Sequence, residues 1–170
     1  MRLPQTVNLS ATSATYSNGI AGVFQTVRVM RDLVNKAKID PYIRHSAATL
    51  VYLTPPKDYS GEVETIFRYV QNTIRYLKDV NGVETIAAPV KTLQTQYGDC
   101  DDQATLLAAL LESIGHQTRF VVTGYNWPGV LEHVYLQVMI DGVWIDLDPT
   151  ENHGVGWAAP DAVDIYYEDV

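Results

Sequence analysis

The chain has 170 residues, 46% hydrophobic and 19% charged, the size and balance of one globular domain able to bury its own core. A formal net charge of −8 opposes a phosphate backbone and argues against nucleic acid as a partner, and no run approaches the roughly 20 apolar residues that cross a bilayer. The single cysteine, Cys100, excludes an intramolecular disulfide and a thiolate zinc site, which leaves that thiol as core filler or as a reagent.

Residues 1–20 are rich in Ser, Thr, Asn and Ala and predict an extended arm without a secretory apolar block; residues 21–170 are expected to form one domain. From Gly22, Val23, Val27, Met30, Leu33, Val34 and Ala37 recur at helical spacing. A second helix is predicted after Asp40-Pro41, where proline suits the first helical position. Pro55-Pro56 interrupts the chain, and Val63, Ile66, Phe67, Val70, Ile74 and Leu77 predict a third helix over 61–79, followed by a turn at Asn81-Gly82. A fourth helix is expected from Cys100 to Ile114, with Gly115 ending it. The period then changes to two. Residues 117–125, 132–140 and 143–148 read as strands, the last pair joined by the hairpin signal Asp141-Gly142. Helices first and strands second predict an α+β fold with the helices packed on an antiparallel sheet.

Tyr97-Gly98-Asp99-Cys100-Asp101-Asp102 places Cys100 in the first turn of the fourth helix, with Asp99 as N-cap. Free N–H groups and the helix dipole favour a thiolate there and can donate to an oxyanion, while Gly98 admits a close backbone approach. The flanking carboxylates raise a thiol pKa, so a cationic imidazole is needed against them; with it, Cys100 is expected to titrate below the usual value of about 8.5.

A two-residue turn at Asp141-Gly142 sets Ile140 opposite Val143, Tyr135 opposite Asp148 and His133 opposite Thr150. His133 and Asp148 are then diagonal neighbours on one face, near enough to meet. The other face carries Val134, Leu136, Val138, Ile140, Val143, Ile145, Leu147 and Pro149 and must be core. Tyr135, Gln137, Met139, Trp144 and Asp146 share the His133 side, expected as a cleft floor partly covered by the Cys100 helix. The required roles are nucleophile for Cys100, base for His133 and orienter for Asp148. His45, His116 and His153 are weaker candidates. One oxyanion donor is the Cys100 N–H; Gln94, Gln96 and Tyr97 are candidates for the second. A competing reading makes Asp99, Asp101, Asp102, Asp146 and Asp148 a divalent-cation site, though their spacing fits no calcium loop.

In this order, Gly98-Asp99-Cys100 opening a helix, His133-Val134-Tyr135 leading a strand and Asp148-Pro149 ending the next, the sequence resembles the transglutaminase-like superfamily. The fuller run, with Ile74-Arg75-Tyr76, Asp79, Glu84, Pro89, Glu132 and Val155-Gly156-Trp157, is similar to cysteine proteinase-like members from bacteriophage and prophage genomes, over roughly residues 60–160. Tyr135 stands where many relatives have Trp. The resemblance implies a papain-like fold, no cofactor and no bound metal. It also implies a peptide or protein substrate, hydrolysed at a peptide or isopeptide amide through a thioester. No membrane partner is expected; a cytoplasmic or virion-associated place, with phage structural proteins as partners, is. The alternative it leaves is a non-catalytic assembly protein that uses the same cleft to bind a peptide.

Overall fold

The apolar stripe from Val23 forms helix α1 (Ile20–Ala37) in the computed structural model, which describes residues 12–13, 20–78 and 85–170. Of the expected N-terminal arm only Thr12–Ser13 (β1) is described, and the Asn81-Gly82 turn lies outside the described residues. Asp40 caps α2 (Pro41–Leu50) by accepting from Tyr42 N at 2.7 Å, and Asp58 caps α3 (Tyr59–Thr73) by accepting from Gly61 N at 3.0 Å.

The third helix is shorter than its stripe. It stops at Thr73, and Arg75–Tyr76 (β2) turns extended to run parallel with Tyr97–Gly98, Arg75 N donating to Gln96 O at 2.8 Å and Leu77 N to Gly98 O at 3.1 Å. Pairing with a distant segment overrides a local helical preference here, and Leu77, the last residue of the stripe, is left 60% exposed. Thr85–Ile86 (β3) pairs antiparallel with β1. A further helix, α4 (Pro89–Thr95), was not anticipated because its seven residues are too few for a readable period; proline at its first position was the local sign. It leads into Tyr97–Gly98 (β4).

Helix α5 (Cys100–Ser113) is buried on every side from Asp102 to Leu111, the pattern of a helix placed inside a protein rather than on it. Leu106, Leu107, Leu110 and Leu111 are fully enclosed, so truncating one to alanine costs about 2–5 kcal/mol. The other helices surround α5 on one side, and a four-stranded antiparallel sheet, order β7-β6-β5-β8, lies on the other. Its strands are β5 (Thr118–Gly124), β6 (His133–Ile140), β7 (Val143–Leu147) and β8 (Asp164–Asp169). The last was missed because its inward residues include Tyr166 and Glu168, which meet Phe24 and Arg31 of α1 rather than an apolar layer.

The hairpin register is the expected one: Ile140 pairs with Val143 and Leu136 with Leu147, and Asp141 (φ 50°) and Gly142 (φ 82°) both take the positive φ of a type I′ turn. Val134, Leu136, Val138 and Leu147 join the core with Phe120 and Val122 against α5. Val143, at the hairpin tip beyond the helices, is 56% exposed instead of buried.

The opposite face differs from expectation. It is not floored beneath the Cys100 helix, because the apolar stripe of α5 can bury itself only against the apolar side of the sheet. It is closed by its own side chains. The Arg119 guanidinium lies 4.2 Å from the ring centres of both Trp144 and Tyr167, donates through Nε to Gln137 Oε1 at 2.7 Å, and Gln137 Nε2 donates to Asp146 Oδ1 at 2.6 Å.

Candidate active site

Strand β4 ends at Gly98 and α5 begins two residues later, so the β2–β4 pairing fixes the start of the helix and Cys100 with it. Asp99 is the N-cap, its Oδ1 accepting from Asp102 N at 3.3 Å. Asp102 turns inward and accepts from Ala87 N at 2.7 Å, tying the chain before α4 to the first turn of α5. Gly98 is needed for this packing, since a Cβ there would meet Asp102 Cβ at 2.5 Å. Gly98→Ala is therefore expected to displace Asp102 and destabilise the fold by about 1–3 kcal/mol, the cost of unsatisfying a buried donor. Chemical denaturation checks this; an unchanged midpoint would contradict it.

Cys100 is partly buried and packs against the core. Its thiol donates to Asp101 Oδ1 at 3.4 Å. Burial, then the charges of Asp101 and Asp99, push the thiol pKa well above its ordinary value; the Val134 backbone opposes them without winning. This reverses the expectation of a depressed thiol. The helix end does not outweigh desolvation and two adjacent carboxylates.

His133 opens β6, and its Nε2 lies 2.7 Å from Asp148 Oδ2. The diagonal contact predicted from the hairpin register is present. Asp148, 2% exposed, is itself held: Thr150 donates to its Oδ1 from the backbone N–H at 3.1 Å and from Oγ1 at 2.7 Å. Burial lowers the His133 pKa, but the Asp148 hydrogen bond and charge, helped by Glu151 and Asp101, outweigh it and raise the value above 6.5. The imidazole is therefore a cation to higher pH than usual.

Tyr76, on the strand paired with Gly98, is the residue that sequence reasoning left without a role. Its hydroxyl pKa is pushed up to about 12, by burial of the phenol and then by the charges of Cys100, Asp99, Asp101 and Asp148, while the residue as a whole is 55% exposed. The Ile74-Arg75-Tyr76 run was the available sign, obscured by assigning it to a helix. Gln94, Gln96 and Tyr97 are exposed, as Tyr76 is, and the Tyr97 hydroxyl accepts from Arg75 Nη1 at 3.5 Å. His45 is exposed, His116 pairs with Glu62 at 2.9 Å, and His153 stacks on Trp157 at 3.9 Å in a loop that Gln71 grips by the carbonyls of Glu151 and His153.

The five carboxylates do not form one site. Asp146 is engaged on the outer sheet face, Asp148 with His133 and Asp102 with Ala87. Among the described residues, ligand atoms of Asp99, Cys100 and Asp101 lie within 4.8 Å of one another, but two carboxylates are few for a hard cation that takes about six to eight oxygens.

Residues 47–149, which contain Cys100, His133 and Asp148, match the transglutaminase-like superfamily. The chain belongs to that superfamily. No match is found among curated proteins. Among solved structures it is similar to a candidate cysteine protease from Cytophaga hutchinsonii (20% identity, TM-score 0.52, over 76% of this chain and 48% of that one). It is similar also to a candidate protease from Parabacteroides distasonis (15% identity, TM-score 0.56, over 76% and 27%). A third is LapG of Legionella pneumophila in a calcium-bound form (20% identity, TM-score 0.55, over 80% of each). At these identities the likeness is one of fold, and the chain spans about half the length of the first structure. No helix among the described residues is long and apolar enough to cross a membrane.

Proposed function

We propose that the chain hydrolyses a peptide or isopeptide amide through a thioester on Cys100, with His133 as base and acid and Asp148 as its orienter. The observation that carries this reading is the fixed His133–Asp148 pair at the start of β6, the strand on which the helix opened by the chain's one thiol packs. With Nε2 committed to Asp148, the neutral imidazole keeps its proton on that nitrogen and offers the Nδ1 lone pair. As Sγ attacks the carbonyl carbon, Nδ1 takes the thiol proton. The oxyanion is received by the Cys100 backbone N–H and the Tyr76 hydroxyl. The tetrahedral adduct collapses, the C–N bond breaks, and the imidazolium returns the proton to the leaving nitrogen. Water, deprotonated by His133, then attacks the thioester and frees the acid and the thiol.

Because the thiol is held protonated at rest, sulfur becomes nucleophilic only as the proton moves to His133. The same observation favours a second reading, an assembly module that binds a peptide without cleaving it. A peptide-library screen of the native chain and Cys100→Ala separates them: cleavage lost in the variant supports the enzyme, and binding without cleavage in both supports the module. The phage-type run of residues, together with the superfamily's protease-like neighbours, supports a role on a protein substrate in a phage or prophage setting.

No step requires a cation. EDTA is expected to leave cleavage unchanged, checked by assays before and after chelation. Loss restored by calcium would instead make Asp99 and Asp101 ligands, and that outcome has a precedent in form, since LapG has been solved with calcium.

A further inference from the structure

The loop between β5 and β6, residues 125–132, runs directly into His133 and holds an indole in water: Trp127 is 72% exposed. That exposure is built in, because the loop is braced. Val130 N donates to Trp127 O at 3.1 Å to close a tight turn, and Glu132 N returns to the sheet by donating to Thr123 O at 2.8 Å. Gly124 lets the loop pack down, since a Cβ there would meet Val130 O at 1.9 Å. Two carboxylates are tied to the same loop, each by a neutral donor: Asn126 Nδ2 donates to Glu132 Oε2 at 2.8 Å, and Gly129 N donates to Asp164 Oδ2. Neither bond cancels a charge. Residues 120–170 hold nine Asp or Glu and no Lys or Arg. Arg119, the last cation of the chain, is held on Trp144 and Tyr167, and Arg31 of α1 meets Glu168 rather than Asp164. Glu132 also lines, with Asp101 and His133, a cavity between α1 and the start of β6, so the loop adjoins the proposed catalytic groups.

We propose that this loop selects the substrate, taking a lysine or arginine side chain of the substrate protein from a residue close to the scissile amide. An indole held in water adds little to the core, whereas its face attracts a cation, and Trp does so more strongly than Tyr or Phe. Glu132 and Asp164 supply fixed negative charge on the same loop. A ring face with carboxylates beside it suits a charged group on an aliphatic stem, which can lie along the ring while its head meets the acid. The excess of acid over residues 120–170 adds a field that draws in a basic segment and repels an acidic one. An apolar occupant would cover the ring and leave the carboxylates unmatched. Because Glu132 immediately precedes His133, the choice of side chain is tied to the bond being cleaved.

A preference for a basic side chain rests on the amide-hydrolysis reading, and the test separates the two. Peptides from a glutamyl-endopeptidase digest, in which lysine and arginine stay internal, are incubated with the full chain and the new termini are sequenced by mass spectrometry. The native chain is expected to enrich lysine and arginine at one position near the cut. A cleaved peptide is then remade with lysine or with norleucine at that position, which share a stem and differ in the charged end. The lysine-over-norleucine ratio of kcat/KM is expected to fall by about threefold to tenfold in Trp127→Leu, the scale of one cation–π contact. It is expected to fall likewise in Glu132→Gln, which keeps an acceptor for Asn126. The ratio is taken within one variant, so a general loss of turnover cancels, and melting curves check that both variants are folded. In the native chain the ratio is also expected to shrink as salt rises. Cleavage that needs Cys100 but favours lysine no more than norleucine, or keeps the native ratio in Trp127→Leu, overturns the loop's role and leaves the hydrolysis reading standing. No cleavage beyond that of Cys100→Ala overturns both.

Discussion

Asp148→Asn is expected to lower hydrolysis by about 10³- to 10⁴-fold, because an amide can hold the imidazole in the wrong tautomer and withdraws support from its cation. Asp146→Asn, two residues earlier on the same strand face, is expected to cost less than about tenfold, since the Asp146 carboxylate serves Gln137 on the outer face and contributes to stability on the scale of one hydrogen bond. The same variant gives a pH signature. His133 acts as base only when neutral, so activity rises with pH through a pKa that lies above 6.5 in the native chain. Removing the Asp148 bond and charge leaves burial, which lowers that pKa, so the acid limb moves to lower pH in Asp148→Asn. Rate against pH for both variants, with circular dichroism as a control on fold, checks the pair. Equal losses, or a limb that does not move, would contradict the assignment of the orienter.

Tyr76→Phe is the second large effect. Removing one donor from an oxyanion site costs about 10²- to 10³-fold in turnover, and because the bond tightens as negative charge develops, kcat is expected to fall with little change in KM. Tyr97→Phe, on the neighbouring strand, is the matched control and is expected to be neutral, since its hydroxyl serves Arg75 and not the thiol's surroundings. A Tyr76→Phe enzyme with native kcat would leave the Cys100 N–H as the only donor named and remove Tyr76 from the mechanism.

Much of this arrangement could be read from local rules. Asp141-Gly142 sets the hairpin register by turn chemistry alone, and that register puts His133 diagonal to Asp148. Asp99 as N-cap and Cys100 as first helical residue followed from the change between a polar run and an apolar stripe. What escaped depended on contacts between distant segments. The third helix ended early because Arg75 and Leu77 find backbone partners at Gln96 and Gly98, and the error hid Tyr76. The sheet's outer face looked like a cleft floor because its residues are polar and aromatic; in fact Arg119 and its neighbours satisfy one another there. The direction of the thiol pKa was misjudged for the same reason. The helix end was legible, whereas the depth of burial and the closeness of Asp101 were not.

Activation of Cys100 by His133 and Asp148 toward an amide carbonyl is read in the rate at which a peptidyl electrophile labels Cys100, followed by mass spectrometry in the native chain and in His133→Ala. A substrate-like electrophile is needed because the resting thiol is protonated and gains reactivity only as its proton passes to the imidazole. Labelling is expected to be much faster than that of the unfolded chain, with a loss of at least about a hundredfold in His133→Ala, the scale of a positioned general base. Labelling no faster than in the unfolded chain, or equal in the native protein and His133→Ala, would contradict it.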